Sequence, residues 1–208
     1  YSDKPPFMFW MFQAGWALFG VNNWWPRLVL PLFSAGGLFL TYRLPPRLWP
    51  QHASLGGRAA LVLVSALLWI VFSTSVMFDV MLTFWVLIGL HGVLAATDGK
   101  RRGFVMLGVA IGLGVLTKGP VILLHLLPVV ALTPWWNPGL KWKRWFGGTL
   151  MAVLLGAAIA LAWALPAGVS GGEAYRNAIF WGLTANRMVE SFAHRRPFWW
   201  DVPLLALL

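Results

Sequence analysis

Long apolar runs separated by short charged stretches dominate this 208-residue sequence. After Lys4 the chain is uncharged for 22 residues, and comparable runs follow each later group of charges. A helix that crosses a bilayer needs about 20 predominantly apolar residues. Most of the runs approach that length, so the pattern predicts an all-α, polytopic transmembrane bundle. The shorter aromatic run over 7–20 predicts a helix at the membrane interface or a re-entrant segment that leads into the first span.

Polar breaks divide the bundle into six or seven predicted spans. They cover 28–42, 59–78, 80–97, 103–117, 119–136 and 146–169, and a further span begins at 198. We expect one domain, made of an outer loop with the interfacial helix (1–20), the membrane spans (28–169), a second outer loop (170–197) and the start of the next span (198–208). Because the sequence opens without Met and stops a few residues into an apolar run, we expect this domain to continue at both ends.

Composition supports an integral membrane protein. Hydrophobic residues make up 59% of the chain, charged residues only 11%, and mean hydropathy is +0.72. Cysteine is absent, which excludes disulfides and thiolate zinc sites within the sequence. The net charge of +10 comes from short clusters scattered between apolar runs. Membrane topology and anionic lipid headgroups explain such clusters better than nucleic acid, which we do not expect as a partner.

The positions of the basic residues predict an orientation. The loops 43–58, 98–102 and 141–144 each hold three Lys or Arg, together nine of the sixteen. Loops rich in Lys and Arg face the cytoplasm. Alternation of the spans then places Lys4, Asp79, Lys118 and the loop 170–197 together on the opposite face.

Asp79 and Lys118 are flanked by uncharged residues and fall within or at the edge of hydrocarbon. An ionised group at the bilayer centre costs about 2.5 to 3.5 kcal/mol even on the lenient insertion scale. Such residues are kept for a partner or for a function. One interpretation is that they pair with each other or with Lys4 to hold helices together, and the other is that they form a site. For His91 and His125, inside apolar runs, the simpler interpretation is hydrogen-bonded packing.

Four segments resemble successive motifs of one enzyme family. They are residues 1–10 (YSDKPPFMFW), 77–84 (MFDVMLTF), 114–119 (GVLTKG) and 194–200 (HRRPFWW). In this order they resemble the ArnT-type bacterial glycosyltransferases, relatives of the protein O-mannosyltransferases within the GT-C superfamily. The resemblance implies a polytopic enzyme that uses a polyprenyl-phosphate-linked sugar.

The resemblance also implies roles for individual residues. Lys4 matches the family's lysine beside the lipid phosphate, and Asp79 matches an acidic residue near the same pocket, where it would orient Lys4 or an acceptor group. These two are the expected catalytic residues. The family's aspartate base belongs to a segment upstream of Tyr1. The residues expected to bind substrate or the lipid phosphate are Tyr1, Lys4, Lys118, Arg195 and Arg196.

A zinc ion is implied only weakly. If the family's zinc site is kept, Asp3 and His194 are its ligands in this chain. Structural and catalytic zinc sites usually take at least three protein ligands. Two ligands therefore leave the metal as an open expectation, and no other cofactor is implied.

The expected reaction moves a sugar from a polyprenyl (undecaprenyl) phosphate donor to an acceptor on the periplasmic face of a bacterial inner membrane. A lipid A-type glycolipid acceptor and 4-amino-4-deoxy-L-arabinose or a similar sugar are favoured. One alternative is a related enzyme that modifies protein or another glycan. Another is a transporter or lipid-binding protein in which Asp79, Lys4 and Lys118 form an ion or proton relay.

A polyprenyl tail needs an apolar groove that opens to the bilayer. The aromatic residues of 7–19 and the Trp-rich segment 198–200 are the expected walls of that groove. Cations fixed beside the phosphate, Lys4 first and then Arg195 or Arg196, would stabilise the negative charge that grows on the leaving group.

Overall fold

The computed structural model describes residues 4–180, and every regular element in this range is helical. The helices are α1 (Phe7–Phe19), α2 (Trp24–Arg43), α3 (Pro45–Leu48), α4 (Leu55–Ser65), α5 (Leu67–Thr74), α6 (Phe78–Thr97), α7 (Arg102–Lys118), α8 (Val121–Trp136), α9 (Trp142–Ser170) and α10 (Gly172–Asn177). The predicted all-α class is confirmed. Most of the expected second outer loop, and the span expected from 198, lie outside the described residues.

Three stretches within residues 4–180 are long and apolar enough to cross a membrane. They are α2 together with α3 (Trp24–Leu48), α6 and α9. The aromatic helix α1 has 13 residues, too few for a straight crossing, as predicted for the interfacial helix. The helices α7 and α8, predicted as full spans, have 17 and 16 residues. The described part of the chain thus has fewer full-length spans than the sequence pattern predicted.

The predicted span 59–78 is wrong as a single helix. In its place α4 and α5 form a pair bent by 70°, with Ala66 in an extended conformation between them. Serine hydroxyls donate to backbone carbonyls near the C-terminal ends of α4 and α5. Ser65 donates to the Val62 carbonyl, and Ser73 donates to that of Ile70. Such side chains compete with backbone hydrogen bonding and weaken a helix from within. A hydropathy profile does not detect this effect.

An antiparallel hairpin of α6 and α7 forms the centre of the bundle. At its crossing the two backbones touch: a Cβ atom at Gly92 would lie 2.8 Å from the Gly103 carbonyl oxygen, and one at Gly103 would lie 2.5 Å from that of Gly92. Neither position has room for a side chain. The glycines therefore let α6 and α7 approach closely, as small residues do in membrane helix pairs.

The other face of α7 packs on α9 through a second set of glycines. A Cβ atom at Gly108 would meet the Ala152 carbonyl oxygen at 2.7 Å, and one at Gly112 would meet that of Gly156 at 3.0 Å. These two glycines are four positions apart on one face of α7. The spacing allows α9 to lie along the helix, which is a packing role.

The start of α1 is fixed by burial. Phe7 and Met8 are 6% and 4% exposed and belong to a core cluster with residues of α2, α6 and α7. The Phe7 ring meets those of Phe33 and Trp85 edge-on, with centroids 6.0 and 5.5 Å apart. Such edge-to-face pairs add to the energy of apolar burial. This anchoring places Lys4, three residues earlier, at one end of the bundle.

The three basic loops meet at the other end of the bundle, which we call the basic end (residues 43–58, 98–102 and 141–144). Arg47 forms a 3.3 Å ion pair with Asp98, and Arg144 donates to the Gly99 carbonyl oxygen at 2.5 Å. The predicted convergence of these loops is therefore present in the fold.

The buried His91 of α6 contacts residues near the basic end. It is 5% exposed, its Nδ1 lies 3.1 Å from the Arg47 guanidinium, and its Nε2 lies 3.0 Å from the Leu40 carbonyl oxygen. The predicted hydrogen-bonded packing is confirmed for His91. His125 is also hydrogen-bonded, to the Val121 carbonyl, but it lies on the exposed surface of α8.

Candidate functional site

An ion pair between Asp79 and Lys118 marks the end of the bundle opposite the basic end. The Lys118 Nζ atom lies 2.5 Å from Asp79 Oδ1, although 39 positions separate the two residues. The hairpin explains this meeting, because the first turn of α6 and the last turn of α7 lie side by side. The pairing of Asp79 with Lys118, one of the interpretations of their positions in the sequence, is thus present in the structure.

Each of the two charged side chains is also stabilised by its position in its own helix. Asp79 is the acidic residue in the first turn of α6, and Lys118 is the basic residue in the last turn of α7. Carboxylates are stabilised near helix N-termini and ammonium groups near C-termini. The helix α7 stops directly after Lys118, where Gly119 takes a φ of +79° before Pro120, the N-cap residue of α8. That turn keeps Lys118 at the helix end.

Lys4 lies against the same helix start. Its Nζ atom is 5.6 Å from the centroid of the Phe78 ring, the neighbour of Asp79. Among residues 4–180 no carboxylate lies within ion-pair distance of Lys4. A lysine held over an aromatic face keeps its hydrogen-bond donors available to a ligand. We call these residues the Lys4–Asp79–Lys118 cluster.

The cluster is accessible. The side chains of Lys118 and Asp79 are 36% and 46% exposed, and Lys4 is half-buried. A partly exposed pair gains less from its mutual attraction than a fully buried one. A polar or charged ligand can therefore reach both lysines.

An apolar cavity of about 180 Å³ opens beside the cluster. Pro5, next to Lys4, and Gly119, next to Lys118, both line it. Leu116 and Trp163 continue its wall into a larger cavity of about 650 Å³ that includes Trp10 of α1 and Pro166 of α9. The lysines therefore lie at one edge of an apolar surface between α1, α7 and α9.

Several predicted site residues lie outside the described range. They are Tyr1, Asp3, His194, Arg195 and Arg196. In residues 4–180 there is no group of three His, Asp or Glu that could hold a metal ion. The zinc expectation on Asp3 and His194 therefore stays a prediction.

Sequence reasoning missed two contributors to this site. Phe78 positions Lys4, and Trp163 of α9 lines both apolar cavities. Phe78 could have been noticed as the neighbour of the intramembrane carboxylate. Nothing in the sequence around Trp163 distinguishes it from the other tryptophans, because its role depends on how α9 packs.

Together, the fold and the site define a polytopic, all-α membrane protein with a cationic cluster at the edge of an apolar groove. A family model described as Dolichyl-phosphate-mannose-protein mannosyltransferase matches residues 3–169. The chain belongs to this family.

Similarity to curated proteins is more specific than the match to the family. The chain is 36% identical, over its whole length, to the undecaprenyl phosphate-alpha-4-amino-4-deoxy-L-arabinose arabinosyl transferase of Pseudomonas paraeruginosa and covers 38% of that protein. It is 31% identical to the protein of the same name from Erwinia tasmaniensis, with 99% of this chain and 37% of the relative aligned. The chain thus spans less than two fifths of the length of these relatives.

Two crystal structures have the same fold. They are those of ArnT from Cupriavidus metallidurans in the apo state and bound to undecaprenyl phosphate, with TM-scores of 0.77 and 0.79. Each alignment covers 99% of this chain, 37% and 38% of the ArnT chain, and shows 24% and 23% identity. The predicted resemblance to ArnT-type proteins is confirmed.

Proposed function

We propose that the protein containing this chain transfers a sugar from a polyprenyl phosphate to an acceptor, with the Lys4–Asp79–Lys118 cluster beside the lipid phosphate. One observation carries the proposal: Pro5, next to Lys4, and Gly119, next to Lys118, line the same apolar cavity. A lipid phosphate needs both parts, cations for its headgroup and an apolar surface for its tail.

The reaction needs positive charge at the phosphate. The acceptor hydroxyl oxygen attacks the anomeric carbon of the sugar and passes its proton to a carboxylate that acts as the general base. The bond between that carbon and the phosphate oxygen breaks, and negative charge builds up on the departing lipid phosphate. Lys4, which has no carboxylate partner among residues 4–180, stabilises this charge most directly.

Asp79 then acts as a positioning residue. Its contact with Lys118 directs one ammonium group towards the beginning of α6, where Lys4 also lies. Without the carboxylate, the Lys118 side chain has several rotatable bonds and no fixed direction. We assign Tyr1, Arg195 and Arg196 to substrate or phosphate binding on the family resemblance alone.

The apolar surface between α1, α7 and α9 suits a polyprenyl chain. Its two cavities share Leu116 and Trp163, and Trp10 of the aromatic helix α1 forms part of the wall. Burial of each CH₂ group contributes about 0.8 kcal/mol. A tail that already lies in bilayer hydrocarbon gains little of this energy on entering the groove, so the groove acts by packing against the tail and holding the phosphate beside the lysines.

The names of the curated relatives support a particular sugar and carrier. We propose undecaprenyl phosphate as carrier, 4-amino-4-deoxy-L-arabinose or a similar sugar as the transferred group, and a lipid A-type glycolipid as acceptor. The basic end would face the cytoplasm of the bacterial inner membrane. The cluster, at the opposite end, would then face the periplasm.

The test is a transfer assay with the full-length protein in membranes and a labelled polyprenyl-phosphate sugar. We expect Lys4→Ala to lower the rate at least about 100-fold, the effect of losing one preorganised group that stabilises transition-state charge. Arg58→Gln, an exposed cation at the basic end, is the matched control and should keep wild-type activity. Equal activity of Lys4→Ala and wild type would remove the phosphate role of Lys4.

A protein acceptor is the second candidate, because the family description names protein mannosyltransferases. One assay distinguishes the two candidate acceptors: lipid A and membrane protein are supplied together with the same labelled donor. Label in the glycolipid fraction supports the first proposal, and label in the protein fraction supports the second. If the wild type consumes no donor at all, a transport or lipid-binding role replaces both.

A further inference from the structure

Two cationic turns meet at the basic end, far from the cluster described above. One is the turn between α6 and α7, and the other is the connection from α8 to the start of α9. The Arg144 guanidinium donates to the Gly99 carbonyl oxygen at 2.5 Å and joins the turns, which are 45 positions apart in sequence. The fold thus concentrates charges that the sequence keeps apart.

Most of these charges lack a carboxylate. Asp98, the carboxylate of this region, is shared by Arg47 and Lys100, each at 3.3 Å. Five further cations are exposed and form no ion pair within residues 4–180, namely Arg101, Arg102, Lys141, Lys143 and Arg144. Like charges this close repel one another unless an anion lies between them.

A cavity of about 170 Å³ lies between the two turns. Lys141 and Arg144 line it on one side, Gly99 on the other, and the buried Trp145 packs at its base. The helices α7 and α9 both begin here, with cations and no acidic residue in their first turns. In α7 the N–H groups of Gly103 and Phe104 already donate to the Lys100 and Arg101 carbonyls. The positive end of each helix dipole still favours an anion and adds to the attraction of the side chains.

Aromatic residues place this region at headgroup depth. Trp142 and Phe146, on the first turns of α9, are 60% and 52% exposed, and their ring centroids lie 5.5 Å apart. Exposed Trp beside Lys and Arg at the end of an apolar helix is typical of the membrane interface. The exposed aromatic pair beside the cavity therefore favours a lipid headgroup over a free ion as the bound anion.

We propose that the cavity between the two turns binds the phosphate of an anionic phospholipid. Lys141 and Arg144 contact the phosphate, while Arg101, Arg102 and Lys143 raise the local positive potential. The acyl chains lie along the exposed apolar face of α9, beside Trp142 and Phe146. This lipid differs from the sugar donor in both place and role, since the Lys4–Asp79–Lys118 cluster is at the other end of the bundle.

The test is native mass spectrometry of the detergent-solubilised full-length protein, titrated with phosphatidylglycerol and, separately, with phosphatidylcholine. The variant Lys141→Gln/Lys143→Gln removes two cations that make no hydrogen bond or ion pair within residues 4–180. Its matched control, Arg27→Gln/Arg58→Gln, removes the same charge from exposed positions outside the cavity lining. Thermal unfolding of both variants checks that the fold is kept.

We expect the wild type and the control to bind phosphatidylglycerol more tightly than phosphatidylcholine. The variant should lose about 30-fold in affinity for phosphatidylglycerol, about fivefold per cation. Equal binding of the two lipids by the wild type, or equal binding of phosphatidylglycerol by variant and control, would overturn the proposal. Displacement of the lipid by an equal concentration of inorganic phosphate would also overturn it, because the site would then recognise a free anion.

Discussion

The carboxylate of Asp79 and the ammonium of Lys118 lie 2.5 Å apart, at the beginning of α6 and the end of α7. Both side chains are more than a third exposed. Exposed ion pairs typically contribute about 0.2 to 1 kcal/mol to stability. The pair therefore contributes little to the stability of two helices that already pack closely at a glycine crossing. A structural role of the pair can thus be separated from a functional one by experiment.

The first prediction concerns Asp79→Asn. We expect transfer activity to fall at least about 10-fold, because Lys118 loses its fixed direction, while the unfolding temperature of the full-length protein changes little. Asp98→Asn, which removes a carboxylate at the basic end, is the control and should keep activity. A loss of stability that matches the loss of activity in Asp79→Asn would favour the purely structural interpretation.

The second prediction concerns the contact of α1 with α2. The Trp25 indole donates to the Met11 carbonyl oxygen at 2.8 Å by passing over Gly15, where a Cβ atom would overlap the ring. We expect Gly15→Ala to cost about 1 to 3 kcal/mol, seen as a lower unfolding temperature. Gly57→Ala is the matched control, since nothing lies within 4 Å of its Cβ position and alanine favours a helix. Similar unfolding temperatures for the two variants would contradict this account.

The third prediction concerns the hairpin crossing. A Cβ atom at Gly103 would lie 2.5 Å from the Gly92 carbonyl oxygen, so Gly103→Ala must push two backbones apart. We expect a loss of about 2 kcal/mol or more, together with reduced transfer activity, because the far ends of α6 and α7 hold Asp79 and Lys118. Gly147→Ala on α9, with open space at its Cβ position, should leave both stability and activity intact. A fully active Gly103→Ala protein would show that the crossing does not position the site.

The fourth prediction compares the two histidines that lie within apolar helices, His91 of α6 and His125 of α8. His91→Ala removes a buried ring that contacts Arg47 and the Leu40 carbonyl. Arg47 keeps its bonds to the His91 carbonyl and Asp98, but the Leu40 carbonyl loses the ring, at a cost of about 1 to 3 kcal/mol. His125→Ala removes an exposed ring and should change stability by no more than about 0.5 kcal/mol. Thermal unfolding of the two variants side by side is the measurement. An equal effect would mean that the burial of His91 contributes nothing.

Element boundaries were largely readable from the sequence. The charges of Asp79 and Lys118 and the Gly119-Pro120 break mark helix ends because charged groups and helix breakers are costly inside an apolar span. The bend between α4 and α5 was not readable. Its apolar residues satisfy any hydropathy test, whereas the extended Ala66 and the hydrogen bond of the Ser65 hydroxyl to the Val62 carbonyl are local features that hydropathy does not register.

The sequence by itself determined the membrane class, the helical fold and the residues whose charge demands an explanation. Those properties follow from the cost of placing polar groups in hydrocarbon, which acts on each residue separately. The tertiary structure decided which charges meet: Asp79 with Lys118, Lys4 with Phe78, and Arg144 with Gly99. It also formed the apolar cavities beside Pro5 and Gly119. Such contacts depend on the crossing of distant helices, which side-chain volumes and glycine positions fix only when the whole bundle packs.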